Sequence, residues 1–500
     1  MRPLFSASTL HLEKPVGRRT WLILLLATAL STCLYIAYSG ITYRIGFPLD
    51  DSWIHQTFAR NLALHGEWSF NPGQLSGGST APLWSAMLAL GFKLGLSPYI
   101  WSYVLGGLLL FYLGFMGETG MRTLLPQYRG VIPWVGLLVI FEWHLVWASV
   151  SGMETILHAL IAFVLLLLLM KKNSNWLALG ALAGVAIWVR PDGVTLLGPV
   201  IFIAIFTLPS WKIRLRSMFS VLFGFSIFFF PYLVFNLFLG GTALPTTFYA
   251  KQAEYAPWQS TPILARVGQG VLQILTGPGI FLLPGAAITA VWAIRNKKWE
   301  VIAVLLWVIG YMGIYLFRLP AYQHGRYLMP VMPIFFFLGL NGYLRYFYAV
   351  SGHSLHRLIR TAWGIALVLV CIGFWFLGMR SYADDVRFIE SEMVDTAKWV
   401  AVEIPPNALI AAHDVGALGY FGDHQLVDMA GLISPQVIPF LRDQVMLADY
   451  LDSKGVQYLV AFPDFYPQLT AGLQPVFSTN APYAPAIGGT NMVVYRWAGP

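Results

Sequence analysis

The chain has 500 residues, 57% of them hydrophobic and only 11% charged. Soluble domains average roughly 25% charged residues, so most of this surface cannot face water and a soluble enzyme is excluded. The net charge of +8 does not mark a nucleic-acid binder, because the basic residues cluster between oily runs as they do in cytoplasmic loops.

Uncharged runs that meet or approach the roughly 20 residues of a bilayer span recur from end to end. They are Thr20 to Tyr43, Leu94 to Gly117, Asn173 to Val189, Gly193 to Trp211 and Met218 to Gly240. Val267 to Ile294, Val301 to Phe317, Tyr327 to Leu344 and Thr361 to Met379 follow. The basic clusters between them are Lys14/Arg18/Arg19, Lys171/Lys172, Lys212/Arg214/Arg216, Arg295/Lys297/Lys298 and Arg345/Arg357/Arg360. With these inside, the N-terminus is expected in the cytoplasm and the intervening segments outside. Outside lie Asp50 and Asp51, "SGMET" (151–155), "RPDG" (190–193), residues 240–258, "RLPAYQHGRY" (318–327) and everything after Arg380.

Both Asp51 and Glu154 are then outside, so one of Ala81–Phe92, Leu94–Gly117 and Val131–Val150 is not a full span. The expected fold is mainly α, a polytopic transmembrane bundle of about 11 spans, or 13 if a segment is split. The charged start and long apolar run without a small-residue cleavage site read as an uncleaved first helix. Cys33 and Cys371 both lie in hydrophobic runs, with neither a disulfide framework nor zinc-ligand spacing.

The acid pair Asp50 and Asp51 opens an expected interfacial helix, with Ile54, Phe58 and Leu62 on the face toward the membrane. One aspartate capping this helix leaves the other without a capping role. The long loop "FNPGQLSGGSTAPLW" is a surface loop or a place where ligand approaches backbone. Arg190 either snorkels to the interface or binds ligand. Lys251 and Arg326 lie outside, where cations are disfavoured, and are phosphate-binding candidates or interfacial anchors. Glu154 is a comparable acid at a helix head.

From about Ser381 the composition changes and helical and strand patterns alternate over short distances. "IESEMVDTAKWVAVEI" is a helix candidate; "ALIAAH", "QLVDMA", "VQYLVAF" and "NMVVYRW" have strand length. The expected division is a transmembrane domain over 1–380, with its first extracytoplasmic loop at 44–80, and an extracytoplasmic α/β domain over 381–500. An outer-face enzyme has no nucleotide sugars to draw on and would use a lipid-linked donor. Transfer needs a carboxylate to take the acceptor proton and cations or a metal to stabilise the departing phosphate. Asp50, Asp51, Arg190, Lys251 and Arg326 supply that inventory.

The stretch "LDDSWIHQTFARNLALHGEWSFNPG…STAPLW" resembles the first extracytoplasmic loop of GT-C superfamily glycosyltransferases. It is most similar to the branch that includes the mycobacterial terminal arabinofuranosyltransferase. "SGMET", "RPDG", "PTTFYAK", "GRYLMPVMP" and "HDVGALGYFGDHQLVDMAGLISP" match in the same order. The resemblance implies a membrane glycosyltransferase moving sugar from a polyprenyl-phosphate donor to a glycan, lipid or protein acceptor of the cell envelope. It implies Asp50 as general base, with Asp51 supporting the acceptor or a possible divalent cation. Arg190, Lys251 and Arg326 would then hold the donor phosphate. Within the matched motifs, Asn71, Thr80, Glu154, Tyr249, His413 and Asp414 become substrate-binding candidates, as does His324 immediately before "GRYLMPVMP".

Two positions depart from the family: Thr57 stands where relatives commonly carry Arg, and Gly77 where they carry an acid. The reaction class is therefore carried over and the sugar is not. The competing readings are a transporter or flippase of lipid-linked glycans and a non-catalytic assembly protein. Paired halves typical of transporters are not detectable, and the acids sit at the outer interface.

Overall fold

A computed structural model describes residues 17–349 and 354–497; Lys14 of the first basic cluster lies outside them. In chain order the helices begin with α1 (Arg18–Thr42), α2 (Asp51–His65), α3 (Pro82–Lys93), α4 (Pro98–Leu124), α5 (Trp134–Phe141) and α6 (Trp143–Ser149). Next come α7 (Thr155–Met170), α8 (Trp176–Val189), α9 (Leu197–Thr207), α10 (Trp211–Gly240) and α11 (Thr246–Glu254). The bundle ends with α12 (Ile263–Leu275), α13 (Gly279–Arg295), α14 (Trp299–Arg318), α15 (Met332–Ala349) and α16 (Ser354–Ile389).

The protein is a polytopic helical membrane protein. Among the described residues, 6 helices are long and apolar enough to cross a bilayer, or up to 7 if the bent pair α12–α13 is one span. The uncharged run from Val267 to Ile294 was expected as a single crossing. It breaks instead by 98°, where Gly277 takes a positive φ of 85° and Pro278 cannot continue the helix. Three apolar helices, Thr155–Met170, Trp176–Val189 and Pro191–Thr207, are shorter. In the interval whose crossing number had to be even, α3 has 12 residues, about 18 Å of helix, too short to cross. The run 131–150 breaks at Glu142, whose carboxylate caps α6 by accepting from the Leu145 N–H at 3.1 Å.

The C-terminal part holds α17 (Asp395–Glu403), β1 (Ile410–Ala412), α18 (Gly416–Phe421), β2 (Leu426–Asp428), α19 (Gln444–Lys454), β3 (Tyr458–Ala461), β4 (Gln474–Ser478) and β5 (Val493–Arg496). The strand order is β2-β1-β3-β5-β4. β1 runs parallel to β2 and β3, while β5 is antiparallel to β3 and β4. Four of these strands coincide with the expected apolar runs. The fifth, β4, begins with three exposed residues and carries no apolar run to mark it.

The expected domain boundary near residue 381 falls inside α16, which runs on through a π turn (Glu390–Val394) into α17. One hydrophobic cluster joins Phe47, Trp53, Ile54, Phe58 and Phe70 of the first loop to Val415, Leu418 and Leu432 of the C-terminal part. The Ile54–Phe58 stripe of α2 therefore does not lie on the membrane. Those side chains are 6% and 0% exposed, and the adjacent Trp53 packs on Tyr420 and Phe421 at 4.7 Å.

Candidate active site

A cavity of about 310 Å³ opens where α2, the loop before α3, the start of α7, the α8–α9 junction, α11 and the α14–α15 connection converge. Its apolar wall includes Met153, Ile187, Phe229, Leu244, Ile314 and Leu319. Val194 and Ile314, each 44% exposed, also line it. The ionic lining comprises Lys251, Arg190, Arg318 and Arg326 against Asp51, Glu154 and Asp192. Cations outnumber carboxylates, so the cavity favours an anion.

At the mouth, Asp51 Oδ2 accepts from Lys251 Nζ at 3.0 Å and from Arg326 Nη2. Tyr327 Oη takes a second hydrogen bond from each cation, at 3.2 Å from Lys251 and 3.1 Å from Arg326. Burial alone would raise the Asp51 carboxyl, but Lys251 and Arg326 outweigh it and hold it well below the ordinary carboxylate range. Burial likewise opposes the Lys251 charge, yet Asp51 carries its pKa above the ordinary lysine value. The arrangement is incomplete: Arg326 is 3% exposed and its Nη1 is buried without a hydrogen-bond partner.

Arg326 is delivered by a tight turn in which Gln323, His324 and Gly325 all have positive φ, at 52°, 57° and 67°. That conformation is costly for residues with a Cβ. His324 holds it by pairing with Asp385 at 2.7 Å on α16, with its ring against Trp143 and Trp147.

The deep wall is wired differently. Arg190, the residue ending α8, is 4% exposed. Its Nε meets Asp192 Oδ1 at 3.1 Å and its Nη2 meets Tyr315 Oη at 2.8 Å. Its Nη1 lies 3.6 Å from Glu154. Asp192 Oδ2 also accepts from the Tyr311 and Tyr315 hydroxyls. Glu154 stands 3.5 Å from His55, whose other ring nitrogen meets Ser85 at 2.9 Å.

Of the residues singled out in the sequence, Asp51, Glu154, Arg190, Lys251, Arg326 and Thr80 line this cavity; Thr80 donates to Thr247 at 2.8 Å. The others do not. Asp50 Oδ2 and Oδ1 accept the Gly416 and Ala417 backbone N–H groups at 2.7 and 2.8 Å, and it makes no side-chain cap on its own helix. Asn71 bonds both backbone groups of Leu426. Tyr249 packs on Phe248. His413 meets Tyr466 Oη at 2.6 Å and lies 3.8 Å from Glu254, and Asp414 adjoins it. Arg318, Asp192, Tyr315 and Tyr327 were missed. Arg318 stacks on Phe248 at 3.5 Å, in contact with the same cavity.

At Gly77, a Cβ would stand 3.2 Å from the Gly240 backbone, so the acid of the related loops would require that backbone to give by a few tenths of an ångström. Thr57 is fully buried and bonds the Trp53 carbonyl. Among the described residues no three His, Cys, Asp or Glu side chains converge as a ready-made cation site. Moreover, the Asp51 carboxylate is already neutralised by Lys251 and Arg326.

Residues 381–495 match a domain of unknown function (DUF8728). No curated protein matches the chain by sequence. Solved structures do match in three dimensions. ArnT from Cupriavidus metallidurans, bound to undecaprenyl phosphate, aligns with a TM-score of 0.62 at 15% identity, over 96% of this chain and 98% of that one. The Archaeoglobus fulgidus oligosaccharyltransferase, in complex with Zn and sulfate, aligns at 0.59 and 12% identity over 89% and 68%. Arabinofuranosyltransferase AftD from Mycobacteria aligns at 0.54 and 17% identity; this chain is covered to 97% and spans 40% of AftD. The fold is that of the GT-C glycosyltransferases that the motifs resemble.

Proposed function

We propose that this protein is a membrane glycosyltransferase that moves a hexosyl or pentosyl group from a polyprenyl-phosphate donor to a hydroxyl of an envelope glycan, lipid or protein. One observation carries the reading. Lys251 and Arg326, with Nη1 of Arg326 buried and unpaired, face a cavity that also carries an apolar wall of Met153, Ile187, Phe229, Leu244, Ile314 and Leu319. A lipid phosphate answers both halves of that lining, and the ArnT structure that shares the fold binds undecaprenyl phosphate. The basic clusters support a cytoplasmic N-terminus, with the cavity mouth and C-terminal domain on the extracytoplasmic side.

In the reaction the acceptor oxygen attacks the anomeric carbon, the bond from that carbon to the phosphate oxygen breaks, and the phosphate leaves with its electron pair. Lys251 and Arg326 stabilise the charge that grows on the leaving group. Asp51 faces the cavity and takes the acceptor proton. Until a donor arrives, Asp51 is tied to both cations. A phosphate drawing on the same cations releases it and raises its affinity for the proton, so the base becomes competent when the donor is in place. Asp50, with both oxygens engaged by backbone N–H groups, is not assigned the proton transfer.

The test uses the full chain in detergent or proteoliposomes with undecaprenyl-phosphate-linked sugars. Asp51→Asn is expected to lower transfer by about 10²- to 10⁴-fold, the usual weight of a general base, while still binding undecaprenyl phosphate. Full transfer by that variant refutes the assignment, and translocation without transfer by the wild-type protein points to a flippase.

A further inference from the structure

Asp50, at the N-cap of α2, and Arg60 on that helix are nearly three helical turns apart, and each grips a different end of α18. Asp50 accepts the first two N–H groups of that helix, from Gly416 and Ala417. Arg60 donates to the last carbonyls, Tyr420 O at 2.6 Å and Gly419 O at 3.1 Å, with its guanidinium 5.5 Å over the Tyr420 ring. An acid at the N-terminus and a cation at the C-terminus both complement the helix dipole. The close approach requires glycine twice. A Cβ on Gly416 would lie 2.1 Å from the Asp50 carbonyl oxygen, and one on Gly419 would lie 2.3 Å from the Phe70 ring.

What α18 carries bears on the cavity. It connects β1 to β2, and Asn71 fixes Leu426, the first residue of β2, through both its backbone groups. Asp428 ends β2 and folds the following turn, accepting the Ala430 N–H at 2.7 Å and the Ile433 N–H at 2.8 Å. That turn sets Leu432 into the cavity lining. There the Leu432 carbonyl accepts from Thr246, and Gly78 lies against Leu432 and Ile433 too closely for a Cβ. Asp414, two residues before α18, is brought near the acid pair by the same docking.

We propose that Asp50 and Arg60 are positioning residues: a two-ended clamp on α18 that registers the C-terminal domain so that its 430–434 turn roofs the cavity. The first-loop acids then divide their work, with Asp51 serving the cavity and Asp50 holding its roof. The clamp stands apart from the glycosyltransferase reading, while its consequence for lipid-phosphate binding rests on that reading.

Hydrogen exchange on the full-length protein, read by mass spectrometry, tests the clamp without any substrate. Arg60→Gln and Asp50→Asn are each expected to speed exchange in peptides covering 416–421 and 430–434 roughly tenfold or more, the loss of charge-assisted bonds. Peptides covering the α8–α9 junction around Arg190 should not change. The double variant should exchange no faster than the faster single, because both side chains restrain one helix. Both singles should weaken undecaprenyl phosphate binding to a similar degree. Unchanged exchange at 430–434 in Arg60→Gln, which leaves Asp50 in place, overturns the clamp. So does a transfer defect in Asp50→Asn that Arg60→Gln does not share, since that pattern belongs to a base. If wild-type protein fails to bind undecaprenyl phosphate while the exchange pattern holds, the functional reading fails and the clamp survives.

Discussion

Arg190 and Arg326 are both buried guanidinium groups lining one cavity, 4% and 3% exposed, and they are wired to opposite ends. Arg190 is saturated, because Asp192, Tyr315 and Glu154 surround it and Asp192 is itself held by two tyrosine hydroxyls. Arg326 shares one carboxylate oxygen with Lys251 and keeps Nη1 unpaired. A buried donor left without a partner costs free energy, and a ligand oxygen is what would recover it. The deep wall is thus built as a scaffold and the mouth as a receptor, although the two arginines look alike in the sequence.

The largest expected effect breaks the scaffold. Arg190→Gln leaves Asp192 buried without its cation, and removing one partner of a buried pair costs about 3–5 kcal/mol. Thermal unfolding in detergent should show the loss. Arg326→Gln should shift the midpoint far less, because Lys251 still neutralises Asp51. Equal losses in the two variants would erase the distinction between wall and mouth.

The next effect reads the receptor. Arg326→Gln should weaken undecaprenyl phosphate binding by roughly 10- to 100-fold, the worth of a charge-assisted hydrogen bond at about 1.5–3 kcal/mol. Lys251→Met should do the same. Arg190→Gln, measured on its folded fraction, should keep most of the affinity. Native mass spectrometry with added lipid phosphate separates these outcomes, and a stronger loss in Arg190→Gln would move the phosphate to the deep wall.

The two regions also differ in how far the sequence disclosed them. Lys251 and Arg326 stood out because cations on the outer side of an oily chain run against the charge bias of loops. Asp51 stood out because an acid pair exceeds what capping needs. Arg190 stood out too, but its partners did not: Asp192 reads as part of a turn, and Tyr311, Tyr315 and Tyr327 vanish in a chain that is 15% aromatic. Asp50 could not be told from Asp51, because what separates them is a helix 366 residues away. The same limit hid the burial of Ile54 and Phe58, since a stripe at helical spacing does not say whether lipid or protein covers it. The broken α12–α13 pair was signalled locally by Thr276-Gly277-Pro278, and the apolar run on either side masked it.

The smallest effect concerns the acids at the domain junction. Burial first, and the neighbouring Asp414 second, push the Asp50 carboxyl up to about 7, against the Ala417 and Gly416 N–H groups that favour its charge. Asp414 is itself raised by burial, with His413 opposing and Asp51 adding to the rise. A carboxyl raised in the folded state favours folding while it is protonated. Its contribution is complete below the unfolded value of about 3.9 and is lost as pH climbs through about 7. The melting midpoint should therefore carry a component that falls between about pH 4 and 7. Asp414→Asn removes one raised acid and lowers the other, so that component should shrink and the variant should gain relative stability at pH 8. The deep wall makes no such prediction for Asp414, which does not touch it. A pH profile unchanged by Asp414→Asn would mean that the junction acids do not interact, and that Asp50 is held by its two backbone bonds alone.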